Sequence, residues 1–129
     1  MKPQYPDLGT CNDVKMLYAG TVNFDDTDID EGVELCELPA GIIVTKAVAK
    51  VNTAFNAATT NVLTVGANDD VNDLLGSDDV TEGTAGAYIV NKFVQYDEAK
   101  KVKAKYTHSG TAATAGSADI YLFVVRIPA

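Results

Sequence analysis

Apolar and polar residues alternate with a period of two along most of this chain, in short runs separated by Gly, Asn, Asp, Ser and Pro. This is the spacing of β-strands with one face in a core and the other in water. Over 14–24, Val14, Met16, Tyr18, Val22 and Phe24 fall on one face, with Lys15, Thr21 and Asn23 on the other. An acidic turn over 25–32 leads to a short strand over 33–38, where Val33 and Leu35 alternate with Glu34 and Cys36. Pro39, Ala40 and Gly41 then break the chain. The longest candidate strand runs over 42–55, with Lys46 and Lys50 on one face and Ala47, Ala49, Val51 and Phe55 on the other. A polar loop over 56–60 and a strand over 61–66 complete what reads as a hairpin.

One short helix is expected over 68–76. Asn68 or Asp69 can cap it, Val71, Leu74 and Leu75 form its apolar side, and Gly76 can end it. An acidic, Gly- and Thr-rich loop over 77–86 precedes a strand over 87–96. Over 100–108, Val102, Ala104 and Tyr106 alternate with Lys101, Lys103 and Lys105. Small residues over 109–117 read as a hairpin loop, and 118–127 as the last strand. Seven or eight antiparallel strands with turn signals between them predict an all-β fold, a β-sandwich or jelly roll with that one short helix. The domain covers 14–129. Residues 1–13, which hold Pro3, Pro6 and Gly9, read as an extended N-terminal arm.

The last strand breaks the pattern. Ile120, Leu122 and Val124 lie on one face, and Tyr121, Phe123, Val125 and Ile127 on the other. A strand with one wet face alternates apolar with polar, so something covers the second face of this one. The cover is either a segment of the same chain or another subunit. Ile42, Ile43 and Val44 repeat the pattern. The interface candidates are therefore Ile42, Val44, Tyr121, Phe123 and Val125, with Tyr5 and Leu8 as the bulky apolar anchors of the arm.

Length and charge narrow the classes. A chain of 129 residues fits one domain and buries roughly two-thirds of its extended surface on folding, enough for a core without disulfide or metal staples. A net charge of −8 argues against a nucleic-acid partner, which needs a basic footprint. No apolar run has the length of a membrane span, and no leader-like segment opens the chain, so neither a membrane nor a secretory route is expected. Cys11 and Cys36 read as reduced thiols and not as a disulfide scaffold. Acids cluster over 25–37 and 69–82, and lysines over 92–105. This segregation serves solubility and edge protection, or it makes complementary patches between surfaces.

Candidate chemistry is sparse. Asp26, Asp28, Asp30 and Glu37 take positions one, three, five and twelve of a calcium-loop pattern, but position six is Glu31 where the loop needs glycine. An acidic β-turn is the simpler reading, with Asp26, Asp28 and Asp30 kept as a weak metal candidate. His108 is the single histidine and closes a strand beside Ser109. There is no phosphate-binding loop, no nucleophile elbow and no zinc-protease motif. Neither enzymatic activity nor a cofactor is expected.

The run LPAGIIVTKAVAKVNTAFNAATTNVLTVG, Leu38 to Gly66, resembles small structural proteins of tailed bacteriophage virions. The DDVNDLL turn after it, and the loop over 114–119 before an aromatic and aliphatic last strand, are similar as well. The shared residues are those of strands and turns, so they mark a fold more than a role. The resemblance implies a virion β-sandwich of the capsid decoration (cement) type that binds the major capsid protein. Such proteins are often homotrimers. A fibre or receptor-binding module using the loops 56–60 and 109–117 is the first alternative. A calcium-dependent sugar-binding sandwich is the second.

Overall fold

The computed structural model describes residues 14–126. Seven strands are formed: β1 (Lys15–Asn23), β2 (Val33–Leu38), β3 (Ile42–Thr53), β4 (Thr60–Gly66), β5 (Gly86–Tyr96), β6 (Lys100–Ser109) and β7 (Ser117–Arg126). They build one sheet in the order β1-β7-β3-β5 and a second in the order β2-β6-β4, with every pairing antiparallel. The all-β sandwich expected from the alternation is what forms.

Each successive strand changes sheet, so no two consecutive strands are hydrogen-bonded neighbours. This is the jelly-roll order with one edge strand missing from the smaller sheet. The expected hairpins at 56–60 and 109–117 are therefore arches that carry the chain from one layer to the other. Burial decides this. Ala47, Ala49 and Val51 of β3 need an opposing layer, and β4 supplies it with Leu63 and Val65, all five at most 2% exposed. Phe55 and Tyr106 help close the crossover end. Both are buried, with ring centroids 4.7 Å apart.

The place of the missing strand is taken by 67–85, and no helix forms among the described residues. Asn68 Oδ1 accepts the N–H groups of Asn72 and Asp73 at 2.8 and 3.2 Å, a local turn that competes with helix. Val71 sits at φ 54°, which a right-handed helix does not allow. Leu74 and Leu75 are drawn instead to the open edge of β4, where both N–H groups donate to the Val65 carbonyl at 3.1 and 2.9 Å. An edge carbonyl in need of donors outweighs a weak helical signal.

β1 also differs from expectation. A bulge between Tyr18 and Gly20 shifts the register against β7, so Ala19 and Val22 both face the core while Met16 and Tyr18 turn outward. The side chains read as one face lie on two. A second bulge, between Val44 and Lys46, does the same in β3. Ile42 and Val44 before it and Ala47, Ala49 and Val51 after it all point inward.

Candidate functional site: the outer face of the four-stranded sheet

The two sheets present different faces to the outside. On the smaller sheet, β6 carries Lys101, Lys103 and Lys105 outward, and β2 sets Glu37 opposite Lys101 and Glu34 opposite Lys103. Lys101 Nζ also lies 3.5 Å from Glu34. Glu34 and Lys101 thus form an ion pair between the acidic and basic clusters within one sheet. β6 is the central strand of that sheet, so its lysines protect no edge. This outer face is wet.

The outer face of the larger sheet carries large apolar groups on all four strands, interspersed with Lys46, Asn91 and Gln95. Register aligns Tyr18, Tyr121, Val48 and Ile89 in one row from β1 to β5. Met16 and Phe123 are paired in the next row, and Ile43 lies opposite Val125 beyond it. The most exposed large apolar groups sit on the two edge strands: Met16 and Tyr18 on β1 at 60% and 57%, and Ile89 and Phe93 on β5 at 62% and 74%. Val14, just before β1, is exposed as well. Between the edges Tyr121, Phe123 and Val125 are half-buried by their neighbours. The Tyr18 and Tyr121 rings meet at 5.6 Å between centroids, and Lys46 Nζ lies 5.6 Å from the centre of the Phe123 ring.

Towards the arch end the face becomes polar. Thr21 Oγ1 donates to Asp119 Oδ1 at 2.6 Å, and Asn52 Nδ2 donates to Asp119 Oδ2 at 2.9 Å. Tyr18 bonds Thr21 through its hydroxyl. These hydrogen bonds, from Thr21 first and then Asn52, hold the Asp119 carboxyl below its ordinary range, and the Lys50 charge opposite adds to them. An apolar platform with an ordered polar end is suited to docking another protein surface.

Three of the interface candidates belong to this face: Tyr121, Phe123 and Val125. Ile42 and Val44 do not, since both are buried between the sheets and leave no surface for a neighbour. Tyr5, Leu8 and Cys11 lie outside the described residues. Met16, Tyr18, Val48, Ile89 and Phe93 were not singled out by the sequence. β5 did carry a signal, because Tyr88, Val90 and Val94 alternate with Ile89 and Phe93 in the two-sided manner of β7.

The acidic turn folds on itself. Asp26 Oδ2 accepts the Asn23 N–H at 2.8 Å, and the Asp28 carbonyl accepts the N–H groups of Glu31 and Gly32 at 2.9 and 3.0 Å. Among the described residues, no three acids, cysteines or histidines group as metal ligands. Cys36 is half-buried, and burial followed by the Glu34 charge pushes its thiol pKa up, away from the reactive thiolate. His108 is exposed beside the Tyr106 ring. The loops 56–60 and 109–117 lie together, with Asn56 Oδ1 accepting the N–H groups of Thr114 and Ala115 at 2.8 and 3.0 Å.

No protein-family model and no curated protein matches the chain. Solved structures do. A chain of the cyanophage Pam1 capsid asymmetric unit is 21% identical with a TM-score of 0.69, covering 99% of this chain and 94% of that one. A chain of the capsid of Ralstonia phage GP4 is 21% identical with a TM-score of 0.66, covering 100% and 92%. A chain of the acidic stable capsid structure of Helicobacter pylori bacteriophage KHP30 is 18% identical with a TM-score of 0.56, covering 91% and 100%. At these identities the likeness is one of fold.

Proposed function

We propose that this chain is a structural protein of a bacteriophage virion, a capsid decoration protein that binds the major capsid protein lattice and stabilises it. The observation that carries the reading is the near full-length likeness of this jelly roll to chains of three phage capsids. The sequence run Leu38 to Gly66 points the same way, and most of its residues lie in β3, β4 and the arch between them. The mechanism is binding energy alone. A clip seated across neighbouring capsid subunits adds buried area to contacts the lattice already has, and no chemical step is needed. The protein works as a homo-oligomer, with a trimer favoured. The 1–13 arm leads into Val14 at the rim of the apolar face and is the capsid anchor through Tyr5 and Leu8.

Quantitative mass spectrometry of purified virions tests the function. Copies on the scale of the capsid subunits support decoration, a few copies per particle support a fibre tip, and absence from the particle overturns both. Deleting residues 2–10 tests the anchor. The truncated protein is expected to fold with nearly unchanged thermal stability and to lose affinity for capsids. Unchanged affinity, or failure to fold, overturns the anchor role.

A further inference from the structure

We infer that residues 67–85 form a strap over the β4 edge, and that ionisation of Glu82 loosens this strap from the sandwich ahead of global unfolding.

The fastenings of the strap are few and local. At one end the 68–73 turn lies flat on Gly66, where an added Cβ would meet the Asn72 backbone N at 2.6 Å. Asp73 grips both sides there: Oδ1 accepts the Ala67 N–H at 2.8 Å, and Oδ2 accepts the Tyr96 O–H at 2.7 Å. In the middle, Leu75 makes a single bridge to Val65, whose N–H its carbonyl accepts at 3.0 Å. At the far end the Glu82 carboxylate is the acceptor for Leu63. Val71, Leu74, Leu75 and Val80 are buried along the strap, yet no run of it enters a strand ladder. Ladders hold the rest of the sandwich, so a segment fastened this way opens at lower cost.

Glu82 is the fastening most sensitive to its own charge. The residue is 7% exposed, and among the described residues no lysine, arginine or histidine lies within ion-pair distance of it. Asp78 repels it from within the strap. Tyr106 faces it from β6 as a neutral phenol, and β4 and the arch that carries Phe55 hold no charged residue. Burial is the largest effect, and it raises the Glu82 pKa above the ordinary 4.5. Once the strap opens, water solvates the carboxylate and the ordinary value returns. The opening constant therefore rises by up to about tenfold per pH unit between the two values and levels off above the folded one.

What opens is a sheet edge. The Leu63 N–H and both backbone polar groups of Val65 lose their partners, which is the arrangement that accepts an added strand. The strap guards β4 at low pH and releases it as pH rises.

Amide hydrogen exchange on the full chain, from about pH 4 to about pH 7 with added sub-denaturing urea, tests this. The Leu63, Val65 and Leu75 amides are expected to exchange through an opening that depends little on urea and climbs with pH. The Leu122 amide, on a central strand, is expected to exchange only by urea-dependent global unfolding. Glu82→Gln is expected to keep the local opening and lose its climb with pH. Asp78→Asn, an exposed change, is expected to end the climb at a lower pH. Strap amides that share the free energy and urea slope of Leu122 overturn the strap. A climb that persists in Glu82→Gln overturns its gating. Where Glu82→Gln fails to fold, Asp78→Asn decides, and a climb that it leaves unshifted overturns the gating.

Discussion

Glu82 Oε2 accepts the backbone N–H of Leu63 at 2.8 Å, so a carboxylate stands where a neighbouring strand would have been. Leu63 is fully buried on β4, the edge whose partner strand this jelly roll lacks. The Glu82 carbonyl also accepts the Phe55 N–H at 2.9 Å, which ties the crossover arch to the same residue. Glu82→Ala leaves a buried donor without a partner and is expected to cost about 1–3 kcal/mol, measured by urea unfolding. Glu82→Gln keeps an acceptor oxygen and is expected to cost far less.

The same carboxylate predicts a pH dependence. Burial pushes its pKa above the ordinary 4.5, the Leu63 N–H pulls against this, and the Asp78 charge adds to the rise. A folded pKa above the unfolded one means that the native state binds the proton more tightly. The resulting stability is complete below pH 4.5 and is lost as pH rises through the folded value. Glu82→Gln is neutral throughout. Its stability relative to wild type is therefore expected to improve as pH rises through that window and to show no such gain below it.

Asp119 behaves in the opposite sense. The Thr21 and Asn52 hydrogen bonds hold its folded pKa below the ordinary 3.8, so its contribution is present above that pH and lost as pH falls through the folded value. Asp119→Asn is expected to flatten the loss of stability below pH 3.8, seen in thermal melts across that range.

Leu122 and Phe123 are adjacent on β7 but face opposite ways. Leu122 is fully buried between the sheets, and Phe123 is half-buried on the outer face. Leu122→Asp places an unpaired charge in the core at a cost of several kcal/mol and is expected to leave no folded protein. Phe123→Asp is expected to fold, with its defect confined to assembly. Circular dichroism and particle mass on the two variants separate these outcomes.

Gly116 lies under Phe55. Its φ is +151°, and a Cβ built there would meet Phe55 Cδ2 at 2.4 Å and Cγ at 2.7 Å. Phe55 is buried against Tyr106 and has little room to yield. Gly116→Ala is expected to destabilise the fold by about 1–3 kcal/mol, read as a fall in Tm.

The sequence by itself determined the strands and the class of fold. Alternation is a local property, and it located all seven strands, with Val102, Ala104 and Tyr106 of β6 placed inward as expected. The two-sided apolar pattern of β7 was equally legible, because its outer residues are written in the chain. Only the tertiary structure decided which face each residue took and which strands paired. A bulge adds one residue without changing composition, yet it turned Met16 and Tyr18 outward and put Ile42 and Val44 in the core. The same turn residues serve a hairpin or an arch, and the choice depended on where β3 could find an opposing layer. The 68–76 segment had helical spacing, but the Val65 carbonyl drew the N–H groups of Leu74 and Leu75 into a bend and a single bridge against the β4 edge. The apolar face needs both effects at once. It joins β1, β7, β3 and β5, which are never consecutive in the chain, so no local window could have displayed it.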